Sequence, residues 1–131
     1  MPLLRALLRD PQAKDFLRGQ CALSLAQMHA TEALEDIVAQ VQQDSLYYLK
    51  IDAIRALGTM GDARAQPVLL DCLRHAHPRV RDEAAEALTQ MGTASVLPAL
   101  RERLSAEKDV SVRGRINWAI GEIERRAKRG R

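Results

Sequence analysis

The side chains able to do chemistry are few and scattered. Three histidines, His29, His75 and His77, supply all the imidazole in the chain. His75-Ala76-His77 has ligands enough to touch one metal ion, yet it reads more simply as a solvated connection between helices. Two cysteines, Cys21 and Cys72, are too few for a disulfide framework. Cys21 falls on an apolar helical stripe, where packing is expected, since the sequence places no His–Asp partners beside it. Cys72 lies off the main stripe and reads as partly exposed, with nothing nearby to activate a thiolate. The carboxylates Asp82, Glu83, Glu86 and Glu102 follow the pattern of solvated helix faces. Gly58 and Gly61 are explained by helix termination, and no phosphate-cradling loop is found. These residues lead to the expectation of no catalytic group, no metal and no cofactor.

The elements that would carry those residues are helices. Of 131 residues 47% are hydrophobic, but only Phe16, Tyr47, Tyr48 and Trp118 are aromatic. A core of Leu, Ala, Val, Ile and Met suits packed helices better than a sheet. The length favours one domain. No apolar run approaches the roughly 18 residues that cross a bilayer, and the sequence starts without the pattern of a signal peptide. A cytoplasmic setting is therefore expected. The net charge is +3, but five of the 20 bases lie in residues 125–131; the remainder carries 15 bases against 17 acids. A basic tail on a near-neutral body weakens a nucleic-acid reading.

An internal repeat organises the chain. The bases Arg18, Lys50, Arg81 and Arg113 are 32, 31 and 32 residues apart. Each follows an aliphatic residue. Small residues stand six positions after each base (Ser24, Ala56, Ala87, Ala119), aliphatics seven after (Leu25, Leu57, Leu88, Ile120), and Met28, Met60, Met91 or Ile123 ten after. That spacing draws one stripe on an α-helix, with small residues letting a neighbour approach. Gly61-Asp62 and Gly92-Thr93 end two of these first helices, and Asp62, Thr93 and Thr31 are candidate caps for the helices after them. A second helix comes next in three copies, around Leu34–Val41, Val68–Leu73 and Val96–Leu104, with Pro67 and Pro98 in the first turns. Pro78 suits the start of the third first-type helix, and Asp109 can cap the fourth. Residues 3–9 read as a capping helix.

A lone helical pair cannot bury both apolar sides, whereas stacked pairs can. Pro78-Arg79-Val80-Arg81-Asp82-Glu83-Ala84-Ala85-Glu86-Ala87-Leu88 and residues 53–65 resemble HEAT-like repeats of the short bacterial type known from phycobilin lyases. The resemblance implies an all-α, right-handed α-solenoid of about three and a half two-helix repeats. The expected domain covers 1–124, with repeats near 12–43, 44–75, 76–107 and 108–124, and the basic tail covers 125–131. Leu46, His77 and His29 depart from the family pattern, which usually has Asp, Asp and Gly there. One HEAT-like family, deoxyhypusine hydroxylase, carries His-Glu pairs just after the repeat base that hold a di-iron centre. Here those places read Gly19-Gln20, Ile51-Asp52, Asp82-Glu83 and Gly114-Arg115, without an imidazole.

The resemblance also puts the second helix of each pair on the concave surface. The residues expected to meet a partner there are Asp36, Gln40, Val68, Asp71, Cys72, His75, Glu102 and Arg103. Trp118 stands where other copies have Leu23, Arg55 and Glu86, and is expected to cover the end of the stack or to anchor a partner or second subunit. The sequence thus leads to a non-catalytic scaffold that binds a protein as a monomer or weak dimer, away from membranes. Nucleic-acid binding through the tail, or a bilin lyase or lyase-chaperone role, are the alternatives.

Overall fold

The computed structural model describes residues 2–9, 20, 23–24, 33–43 and 47–129. Among them there is no strand, and the helices run α1 (Pro2–Arg9), α2 (Leu34–Gln43), α3 (Tyr47–Met60), α4 (Gln66–Cys72), α5 (Pro78–Met91), α6 (Leu97–Ala106) and α7 (Val110–Arg129). The expected capping helix is α1: Leu4 packs on the core, and Arg5 and Arg9 reach Asp36 of α2 at 3.1 and 2.9 Å. The first repeat helix, with Phe16, Cys21, His29 and Thr31, lies largely outside the described residues, as does Leu46; Leu23 is seen packing against the core.

Local chemistry sets the helix ends. Gly61 takes a φ of 70°, which only glycine adopts without penalty, and turns the chain off α3. Asp62 then caps the short 3-10 turn Ala63–Ala65 by accepting from the Arg64 N–H at 3.0 Å. Thr93, at the matching place, makes no such cap; its hydroxyl pairs with Ser95. Pro67, Pro78 and Pro98 all fall in first turns, where a missing N–H is harmless. His77 does the work of the usual Asp: its Nδ1 accepts from the Arg79 N–H at 3.1 Å and starts α5. Asp109 caps α7 by accepting from the Val112 N–H at 3.1 Å.

The repeated stripe is the core. Ala53, Ala56, Leu57 and Met60 of α3, Val80, Ala84, Ala87 and Leu88 of α5, and Val112, Ile116, Ala119 and Ile123 of α7 are all buried. The long helices α3, α5 and α7 pack directly on one another. The shorter α2, α4 and α6 pack mainly on the long ones and hardly touch each other. A stack closed up in one layer and splayed in the other curves toward the closed layer. The concave side therefore belongs to α3, α5 and α7, and the expectation that the second helix of each pair lines it is corrected. The reason is the small residues: a Cβ on Gly58 would sit 3.0 Å from the Cα of Ala87, so α3 and α5 come closer than any outer pair.

The repeat bases explain how one pair is fastened to the next. Arg81 donates to the carbonyls of His75 and Ala76 at 2.8 and 3.0 Å, and Arg113 to those of Leu104 and Glu107 at 2.8 and 3.0 Å. Lys50 donates to the Val41 carbonyl. Each base thus satisfies the orphan carbonyls at the end of the preceding outer helix or its linker.

Candidate functional site

The inner face is built from two positions of each repeat. Two residues after each base stand Asp52, Glu83 and Arg115; five after stand Arg55, Glu86 and Trp118. Three-residue spacing puts both positions on one side of each inner helix. Ion pairs cross from helix to helix. Arg55 of α3 meets Glu83 of α5 at 2.8 and 3.2 Å. Arg115 of α7 meets Glu86 and Asp82 of α5 at 2.7 and 3.3 Å. The hydrogen bond to Glu83 holds the Arg55 guanidinium more firmly protonated than usual. Beside the first pair opens a groove of about 380 Å³, floored by Ala87 and edged by Leu23, Arg55, Thr59, Glu83, Glu86 and Gln90. Asp52, Asp82, Glu83 and Glu86 stand against Arg55, Arg115 and Arg79, the last 4.0 Å from Glu83, so four carboxylates meet three guanidiniums and the face carries a surplus of one negative charge.

The expected partner residues do not form one surface. Val68 and Cys72 are 6% and 7% exposed and belong to the core, which corrects their placement on an open face. Burial pushes the Cys72 thiol up to about 11, so no thiolate forms near neutrality. Asp36 is tied to Arg5 and Arg9 of α1. Burial would raise its pKa, but the bonds to Arg9 and Arg5 bring it below the usual carboxylate value. His75 Nδ1 accepts from the His77 N–H at 2.9 Å, a local cap, and burial, with the cations around it, lowers its pKa below the usual histidine value. Asp71, Glu102 and Arg103 do share a groove of about 330 Å³ between α4 and α6, but on the outer layer. The Gln40 side chain lies outside the described residues. Trp118 is 57% exposed, with the Arg125 guanidinium 5.7 Å from its ring centre.

Two features were not expected from the sequence. Glu107, 3% exposed, accepts from Arg81 at 2.7 and 2.9 Å, from Arg103 at 3.3 Å and from the Asp109 N–H at 3.2 Å. Burial would raise its pKa, yet these donors hold it below the usual value. The other is how the basic segment is held: α7 runs through Arg129, and Arg126 donates to the carbonyls of Thr89 and Gly92.

Residues 34–121 match the family of HEAT repeats. The chain belongs to the HEAT repeat family. Within it, the deoxyhypusine hydroxylase of Eremothecium gossypii is 34% identical over 115 residues, 86% of this chain and 35% of that enzyme. The Mus musculus deoxyhypusine hydroxylase is 40% identical over 117 residues, 88% of this chain and 38% of that enzyme. The structure of human deoxyhypusine hydroxylase in complex with glycerol matches with a TM-score of 0.84 at 30% identity, over 98% of this chain and 45% of that one. A chain of the CpcE–CpcF complex of phycocyanin lyase from Nostoc sp. PCC7120 matches with a TM-score of 0.78 at 25% identity, over 93% of this chain and 52% of that one. This HEAT chain thus spans little more than a third of the curated relatives it matches. The HEAT-like resemblance and the α-solenoid hold. The expectation of a non-catalytic scaffold, and of no enzyme, is overturned: these relatives are enzymes, and they align along most of the chain.

The relatives raise the question of iron. The His-Glu places hold Ile51-Asp52 on α3, Asp82-Glu83 on α5 and Gly114-Arg115 on α7. Ile51 is buried, Asp82 is bonded to Arg115, and Glu83 is bonded to Arg55. Among the described residues no three His, Cys, Asp or Glu gather where a metal ion could sit. An apolar side chain, a bare backbone and a guanidinium are not iron ligands, so the residues present do not fit a di-iron centre. The chemistry of this inner face is ionic. No helix among the described residues is long and apolar enough to cross a membrane.

Proposed function

We propose that this chain is a unit of an enzyme of the deoxyhypusine hydroxylase type, and that its inner face holds the amine-bearing side chain of a protein substrate. The observation that carries this reading is the alignment of 86% to 88% of the chain with enzymes of that name. The negative surplus of the inner face supports it. An ammonium entering between α3 and α5 meets Asp52, Glu83 and Glu86, and two opposite charges 4 Å apart attract by about 4 kcal/mol at the effective dielectric of a protein surface. In this reading Arg55 and Arg115 act as positioning residues, fixing the carboxylates so that they need not reorganise around the amine. Asp52, whose neighbour Arg55 is already engaged by Glu83, is the carboxylate most open to the substrate. Because the metal positions are not filled by ligands, the role read here for this chain is to bind and orient the substrate amine. The partner protein is then the substrate itself.

Calorimetric titration with a peptide bearing deoxyhypusine, and with the same peptide bearing plain lysine, tests this. The deoxyhypusine peptide should bind more tightly, and Asp52→Asn with Glu86→Gln should weaken it about a hundredfold, roughly tenfold for each of the two charge-assisted hydrogen bonds lost. Equal affinity for the two peptides, or affinity unmoved by the double variant, would overturn the reading.

A further inference from the structure

Among the described residues the two large apolar side chains left exposed are Val110, at 84%, and Trp118, at 57%. Both lie on α7, on the side opposite its buried Val112, Ile116, Ala119 and Ile123. At 3.6 residues per turn, Val110, Gly114, Trp118 and Gly121 share that side. The register of the stack says what such a face is for. Trp118 stands at the place of Arg55 and Glu86, which bond to the following inner helix through Glu83 and Arg115. Gly121 stands at the place of Gly58, whose bare backbone lets α5 come close. The last helix therefore presents the surface on which each earlier inner helix receives its neighbour, and no described helix covers it.

We propose that a second copy of this chain covers it, α7 against α7 across a two-fold axis, with each Trp118 ring laid over the partner's Gly114 and Gly121. The face is its own complement, because the ring projects between two glycines, four residues before it and three after. No described residue requires glycine at 114: a Cβ there would meet nothing within 4 Å among the described residues. Glycine in a helix interior costs about 1 kcal/mol relative to alanine, a penalty that no contact among the described residues offsets. Charge sets the direction. Helix α7 begins beside Asp109 and ends in Arg126, Lys128 and Arg129, so an antiparallel crossing keeps the basic ends apart and brings each toward the partner's Asp109. Closure sets the symmetry, since stacking α7 on a different face would leave an open surface at every step and grow into fibres. Arg125, resting over Trp118 and 3.6 Å from the Cβ position of Gly121, is a flexible cover that can stay as a cation–π lid on the joined rings. This inference stands apart from the substrate reading, which turns on Asp52, Glu83 and Glu86, whereas this one turns on Gly114 and Trp118.

Sedimentation equilibrium of the full chain tests it. The mass should approach twice the 14.6 kDa of one chain as concentration rises. Trp118→Ala and Gly114→Leu should each weaken the dimer about tenfold or more, as expected for the centre of an interface. Gly114→Leu is the decisive variant, because the isolated fold has room for it and circular dichroism should be unchanged. Asn117→Cys, near the axis, should cross-link on oxidation, and should stop doing so when Gly114→Leu is added. A single-chain mass up to the solubility limit, or a dimer indifferent to both Trp118→Ala and Gly114→Leu, would overturn the proposal.

Discussion

The inner and outer layers are made of the same kinds of residue and are held in different ways. Between α3 and α5 the backbone nearly touches, with Gly58 against Ala87, and the polar edge of the contact is closed by the Arg55–Glu83 pair. Between α4 and α6 there is a groove, and the ion pair across it, Arg74 to Glu102, spans 3.9 Å between two exposed side chains. Exposed pairs of that kind contribute little. Cohesion along the stack therefore lives in the inner layer and in the carbonyl-binding bases, while the outer helices serve mostly to cover the core. Substitution on the two layers should consequently differ in effect by more than the chemistry of the residues suggests.

The largest effect is expected at the junction that joins the layers. Glu107→Ala leaves Arg81, whose side chain is 12% exposed, facing a gap. Breaking a buried pair on one side costs about 3 kcal/mol, which thermal denaturation will read as a marked fall in melting temperature; Glu107→Gln, which keeps an acceptor, should fall less. Next comes Gly58→Val, which wedges α3 from α5 and should cost about 2 kcal/mol. Its counterpart Ala99→Val, on the wall of the outer groove, should stay within about 0.5 kcal/mol. Equal effects from these two would erase the distinction between the layers. Gly61→Ala, forced to keep a positive φ, should cost about 1 kcal/mol.

The smallest expected effects are those of pH. Every resolved shift among the acids Asp36, Asp62 and Glu107 is downward, Asp62 to about 2 through its bonds with Arg64. A carboxyl whose folded pKa is depressed gives stability above its unfolded pKa and loses it as pH falls through the folded one. His75, also shifted down, follows the same direction: the folded chain prefers the neutral ring, so stability begins to fall once the pH drops below the unfolded value of 6.5. His75→Asn, which keeps a cap acceptor that does not titrate, should remove that first decline in an acid titration followed by circular dichroism and leave the steeper carboxylate limb.

The stack was legible in the sequence because its signal is periodic and redundant. One copy of Arg81-to-Met91 says little, but the same small and aliphatic residues at the same distances from Lys50 and Arg113 leave few other folds. The curvature was not legible. Which layer closes up depends on how near two backbones come, and a stripe containing Ala56 and Ala87 states only that closeness is allowed. With the outer layer taken as concave, the candidate site falls on Val68 and Cys72, which the core absorbs, and away from Arg55, Glu83, Glu86 and Arg115. Those four were visible as charges but not as pairs, because each bond spans roughly one repeat, and a single sequence does not say that residues 28 or 29 apart touch. Function was hidden more deeply. The positions after the repeat base had already parted from the hydroxylase pattern, so kinship with those enzymes rested on the scaffold between them.

Lys50, Arg81 and Arg113 each reach back across a linker to grip main-chain oxygens belonging to the pair before. The seams of the molecule are thereby displaced from its sequence period. A cut placed just ahead of Arg113 would strip a donor from the end of α6 and unravel what it meant to spare, whereas one placed after Gly92 would leave α5 capped only if Arg126 travelled with it. Shortened or lengthened versions of this array should therefore be spliced by clasp and oxygen together, and native-state hydrogen exchange should find units that melt as a helix plus the base that comes after it.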